Sequence, residues 1–116
     1  MGVGNCASSL VQGVSHYRAG TNDLTGLMHH DLGGYAPGDI RFVAAWDVDR
    51  RKVGRDISEA IFEAPNCTTV FCETVESTGA RVRMGRVLDG VAEHMDAYPE
   101  DRSFSVADQA QADKDA

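Results

Sequence analysis

The sequence predicts a small α/β domain, and three observations carry that reading. A glycine-rich opening runs directly into a helical stretch, an apolar run from Ile40 to Asp47 ends in an acid, and a helical period follows that run. A strand apolar on both faces, alternating with helices, belongs to a parallel sheet covered on its faces. At 116 residues, 42% hydrophobic and 25% charged, the chain has room for one core.

The first helix is expected from Asn5 to Ala19, where Leu10, Val11, Val14 and Tyr17 share a face and Gly20 supplies the stop. From Gly20 to Asp39 the residues Gly20, Gly26, Gly33, Gly34, Pro37 and Gly38 interrupt any regular element, so this is read as a long connection. Such connections are either functional or disordered. Ile40 to Asp47 is the expected parallel strand. Asp49 is placed to cap a helix whose apolar positions are Val53, Ile57, Ala60 and Ile61, closed by Pro65. Thr68 to Cys72 is a second strand candidate, and Ala80 to Met84 a weak alternation that fits loop or short strand. Asp89 to Tyr98 is expected to be a short helix carrying Val91 and Met95, ended by Pro99. The composition turns polar beyond it, so the domain is assigned to residues 1–98 and a frayed or disordered tail to 99–116.

Charge and cysteine content exclude several classes. Eleven Lys plus Arg against eighteen Asp plus Glu give a net charge of −7, which disfavours nucleic acid as a partner. The longest uncharged apolar stretch, Phe42 to Trp46, is far short of the roughly 20 residues of a membrane span. The opening lacks the order of a signal peptide, so a cytoplasmic protein with no membrane contact is expected. Cys6, Cys67 and Cys72 have no C-x-x-C spacing and are expected to be free thiols in a reducing compartment.

The chemistry lies in the opening. Gly2-Val3-Gly4-Asn5-Cys6-Ala7 matches the dinucleotide fingerprint G-x-G-x-x-[GA] at the start of a helix. Its glycines make a tight turn and let the backbone approach a pyrophosphate, and the helix tip offers N–H groups and a positive dipole end. Asp47, at the end of the next expected strand, is suited to accept the adenosine ribose hydroxyls and to repel a 2′-phosphate, which favours NAD. Two features depart from the pattern. Asp47 lies 40 residues after Ala7 against a usual separation of about 20, and only Met1 precedes Gly2, so the first strand of a Rossmann-type domain is missing. The bland alternative is a glycine turn that merely starts a helix.

The run Gly2 to Val14 resembles the opening of actinobacterial and related prokaryotic inositol-phosphate synthases. Further similarities in the same order are Gly26-Leu27-Met28-His29, Phe42 to Asp49, Lys52-Val53-Gly54, Asp56 and Leu88-Asp89-Gly90. The resemblance covers roughly residues 2 to 95 and also accounts for the long connection. It implies a partial Rossmann-type NAD-binding domain of an isomerase that oxidises glucose 6-phosphate, cyclises it by an internal aldol step and reduces it again. Family enzymes are homotetramers. By position, Gly2, Gly4, Asn5 and Cys6 would lie at the pyrophosphate, Asp47 at the ribose and Asp56 in the cofactor pocket, with the Asp89-Gly90 turn a weaker candidate. The lysines that the resemblance assigns to proton transfer belong to a later region, so no catalytic residue and no turnover are expected of this chain alone. A truncated or remnant synthase is one explanation of the missing strand; a mis-called start is another, which requires a short Val/Ile-rich run encoded in frame just upstream.

Other residues receive plainer readings. His29, His30 and Asp31 are read as solvated, with no further ligand spaced to complete a metal site. Cys6 is read as a small residue beside the phosphates, Arg50 and Arg51 as solvated, and Trp46 as core. Two functional alternatives stay open: a non-catalytic nucleotide-binding or interaction module, and an ordinary NAD-dependent dehydrogenase domain, which the long connection disfavours.

Overall fold

Helix α1 spans Asn5–Arg18 and buries Ala7, Ser8, Val11, Gln12 and Val14. The computed structural model describes residues 2–20, 22–88 and 90–111, and within them the fold is mixed α/β. The buried stripe of α1 is rotated from the expected one: Leu10 is exposed, Tyr17 is half-buried, and Gln12 is fully buried. Gln12 tolerates burial because its amide is satisfied on both sides. Its Nε2 donates to Ser8 Oγ (3.1 Å) and the Thr69 carbonyl (3.4 Å), and its Oε1 accepts from the Phe71 and Cys72 amides. This explains why the expected strand at Thr68 to Cys72 does not form. Its amides bond to a helix side chain, not to a neighbouring strand.

Among the described residues of the long connection the one regular element is a 3₁₀ turn at Pro37–Asp39. The end of α1 holds it: Arg18 donates to the carbonyls of Gly38 (2.8 Å) and Ile40 (2.6 Å), and Tyr17 Oη donates to that of Thr25 (2.7 Å).

Strands β1 (Ala45–Asp47) and β2 (Val82–Met84) pair in parallel, with Ala45 opposite Val82 and Asp47 opposite Met84. Gly2 bridges Trp46 in parallel on the other side of β1. Along the far side of β2, Gly54 to Ile57 run antiparallel, with Gly54 N–H bonded to the Val82 carbonyl and Val82 N–H to that of Arg55, both 2.8 Å. The strand expected over Ile40 to Asp47 is therefore confined to its last three residues, where neighbours exist on both sides. Val43, outside the ladder, is 85% exposed. The alternation at Ala80 to Met84 supplies β2.

The helix expected from Asp49 breaks. Residues 50–54 form turns, Gly54 takes φ +90°, and helix α2 covers only Ile57–Ala60, capped by Asp56. Asp49 spends its carboxylate on Arg51 and Ser105 instead. The expected helix at Asp89 to Tyr98 is a 3₁₀ turn at Glu93–Met95, and Asp89 lies outside the described residues. Trp46 is half-buried and not a member of the core.

The expected fraying from Glu100 does not hold as far as Ala107. Arg50 N–H bonds to the Ser105 carbonyl, Ala107 N–H to that of Val48, and Ala107 packs on Val53 and Met84. Hydrogen bonding to the chain after β1 outweighs the polar composition; residues 112–116 lie outside the described set. The main core joins Val3, Val11, Ala45, Ile57, Ala60, Ile61 and Val82, with Phe42, Val75 and Ala80 against it.

Ile57 and Ile61 are fully buried, whereas Leu10 is 47% exposed. Urea unfolding is expected to show losses of about 2–5 kcal/mol for Ile57→Ala or Ile61→Ala. Leu10→Ala is expected to stay within about 0.5 kcal/mol, as for other surface positions.

Candidate functional site

Gly2, Val3 and Gly4 carry the chain from the edge of β1 into α1. Val3 is completely buried, and both of its backbone polar groups are held. Its N–H donates to Asp47 Oδ2 (3.1 Å), and its carbonyl accepts from Lys52 Nζ (2.6 Å). Gly4 is the N-cap of α1 at φ −98°, with no side-chain cap on the helix. Neither Gly2 nor Gly4 has a positive φ, and a Cβ built on either meets nothing within 4 Å. The chain's own packing thus gives no reason for glycine at either position. Open space lies beside the helix tip, where orphan N–H groups and the dipole favour an anion.

Asp47 stands at the end of β1 beside this turn. Its Oδ1 accepts from the amides of Val48 (2.8 Å) and Asp49 (2.9 Å). With the bond from Val3, three of about four lone-pair positions are taken. An open depression of about 430 Å³ next to it is lined by Gly2, Trp46, Asp47, Val48, Gly85 and Arg86.

Asn5 clasps the segment after α2 to the helix tip. Its Oδ1 accepts from the Cys67 amide (3.0 Å), its Nδ2 donates to Cys67 Sγ (3.0 Å), and its carbonyl accepts from Thr68 Oγ1 (2.9 Å). Cys6 is exposed in a second depression with Ser9, Thr68, Thr69 and Phe71. Gly2, Gly4, Asn5, Cys6 and Asp47 therefore share the trailing ends of the strands.

Asp56 does not join them. It caps α2 beside Arg81, at the leading end of β2, and its carboxylate is occupied by the Ser58, Thr78 and Gly79 amides and the Ser58, Ser77 and Thr78 hydroxyls. Burial pushes its pKa up, but these hydrogen bonds outweigh it and hold the group well below the usual carboxylate range. Arg51 also departs from expectation: it forms a fork with the buried Asp49 and donates to the Glu100 and Ser103 carbonyls (both 2.6 Å). Arg50 is exposed, 3.9 Å from Glu100. Burial raises the Asp49 pKa, yet bonds from Arg51 and Ser105 bring it below its ordinary value.

Sequence reasoning missed Lys52, Gln12 and Asn66, which fix backbone carbonyls or amides from inside the fold; Asn66 donates to the Ile61 carbonyl and accepts from the Thr68 amide. The one available signal was a polar residue on an apolar helical face, as at Ser8 and Gln12. His29 and His30 are exposed, and among the described residues no group of three or more His, Cys, Asp or Glu is placed to hold a metal ion. No helix among them is long and apolar enough to cross a membrane.

The chain is similar to proteins named inositol-3-phosphate synthase. That of Corynebacterium glutamicum is 44% identical over 117 residues, covering 99% of this chain and 32% of the relative. That of Mycolicibacterium smegmatis is 50% identical over 96 residues, covering 81% and 26%. The chain thus spans between a quarter and a third of these relatives. A solved structure titled "Crystal structure of Ari2" superposes with a TM-score of 0.66 at 30% identity, covering 87% of this chain and 29% of that one. No family model matches the chain.

Because Asp49 and Asp56 are held below the ordinary carboxylate pKa of about 3.9, the stability they contribute is present above that pH and lost as pH falls through the depressed values. Acid unfolding of Asp56→Asn is expected to show a flatter acid limb. Its loss at neutral pH should reach about 2 kcal/mol, the upper end for a helix cap, because the carboxylate also holds Ser77 to Gly79.

Proposed function

From a chain homologous to actinobacterial inositol-3-phosphate synthases over about a third of their length, we propose that it forms the NAD-binding end of such an enzyme. In this reading the sheet is part of a Rossmann-type domain. The parallel order β2, β1, Gly2 is what that topology requires if Gly2 marks the end of a first strand. The observation that carries the proposal is the contact between the Val3 amide and Asp47, which joins a bare helix tip to a carboxylate at the end of the neighbouring strand.

Gly2, Gly4 and the first amides of α1 would receive the diphosphate, since open space lies where other residues carry a Cβ. Asp47 would accept a ribose hydroxyl with its remaining lone-pair capacity and repel a 2′-phosphate, which selects NAD over NADP. Asn5 would hold the Cys67 segment at the edge of the site, with Cys6 facing it. Asp56 has no part in this arrangement. When bound, NAD supplies reversible hydride acceptance for the sugar substrate.

The full activity, conversion of glucose 6-phosphate to inositol phosphate in a cytoplasmic homotetramer, needs proton-transfer groups at the reacting sugar that a catalytic region beyond this stretch would supply. The chain alone is therefore expected to bind NAD without turnover.

Calorimetric titration is expected to show saturable NAD binding that Asp47→Ala weakens at least tenfold, as expected for loss of a charged hydrogen-bond acceptor, and that Gly4→Val abolishes. Absence of binding by the wild-type chain would refute the cofactor reading. Incubation with glucose 6-phosphate and NAD is expected to yield no inositol phosphate; product above background would show that the chain carries its own acid–base groups.

A further inference from the structure

Lys52 is 2% exposed, and the cofactor reading gives it no direct contact with ligand. Its ammonium donates to the carbonyls of Val3 (2.6 Å) and Pro65 (3.2 Å). Among the described residues it forms no ion pair; Asp47 and Asp49 act on it only through space. An ammonium taken out of water is costly unless hydrogen bonds replace its hydration, so a lysine here calls for a specific use of those bonds.

Peptide geometry supplies one. In a trans peptide the carbonyl of one residue and the N–H of the next lie in one plane and point in opposite directions. The Val3 carbonyl accepts from Lys52, so the Gly4 N–H points away from the buried ammonium. A Cβ built on Gly4 meets nothing within 4 Å, so a ligand can approach the turn there. Without an anchor the peptide between Val3 and Gly4 is among the easiest to reorient, because Gly4 has no Cβ to restrict it. Asp47 fixes the other side of Val3 through its N–H.

We propose that Lys52 is a positioning residue: it locks the Val3–Gly4 peptide so that the Gly4 N–H is aimed at an anionic ligand, the diphosphate of a dinucleotide. The ligand identity rests on the cofactor reading above; the locking of the peptide does not.

The test uses the full chain with Lys52→Met. Nitrogen-15 relaxation by NMR is expected to show the Gly4 amide, the N–H of the locked peptide, falling from an order parameter of about 0.85 to below about 0.6. Val82, whose amide is bonded to the Arg55 carbonyl, is expected to keep its rigid value. In titrations with ADP and adenosine, ADP should bind at least tenfold more weakly while adenosine changes less than twofold. An unchanged Gly4 order parameter, or Gly4 and Val82 loosened alike, would overturn the proposal, as would equal losses for ADP and adenosine. Lys52→Gln, which keeps an N–H donor on a shorter stem, is judged by the same measures if Lys52→Met does not fold. Failure of both variants to fold would assign Lys52 to fold stability and overturn the proposal. If the wild-type chain binds neither ADP nor NAD, the cofactor reading fails, and the positioning claim then stands or falls on the Gly4 order parameter alone.

Discussion

The tie between the Val3 amide and Asp47 is the constraint from which the rest of the architecture follows. It fixes where the chain passes from the edge of the sheet into α1, whose Val11 joins Ala45, Ile57 and Val82 in one buried cluster. A hydrophobic core is indifferent to small slides of its members; a hydrogen bond with a defined donor and acceptor is not. Fan-shaped acceptance by one carboxylate, of Val3 on one oxygen and Val48 and Asp49 on the other, also shapes the sharp exit of the chain from β1.

Short strands leave much of the backbone without ladder partners, and the fold answers with polar side chains that bond to it. Gln12 serves the amides of Phe71 and Cys72, Asp49 those of Arg51 and Ser105, and Asp56 those of Ser58, Thr78 and Gly79. Among the described residues no buried side-chain nitrogen or oxygen lacks a partner. Each such residue takes a place that a longer sheet would fill with strand-to-strand bonding.

What the sequence discloses follows the range of the forces involved. The start of α1 and the apolar stretch closing at Asp47 are set by local glycine chemistry and side-chain patterning, and both were readable, as was the nearness of Asp47 to the glycine turn. The length of β1 was not, because a strand extends only where another segment lies alongside, and pairing is nonlocal. The break at Gly54 outweighed a helical period that looked continuous through Ile57 and Ile61. Asp56 reads as a ligand-binding acid but is used up by six donors, a fate that depends on Ser77 to Gly79 returning from more than twenty positions away. Glu100 to Ala107 looks soluble by composition, yet two buried contacts and a fork of hydrogen bonds to Arg51 suffice to seat it.

That seating bears on the order of assembly. Ser105 and Ala107 reach back to Asp49 and Val48, closing a loop of more than fifty residues. Emerging from the ribosome amino-terminus first, the chain would expose the Val53–Met84 side of the sheet, with the Ser105 donor to Asp49 still missing, until that late segment arrived. During synthesis, this flank is therefore the one most open to chaperones and to premature association.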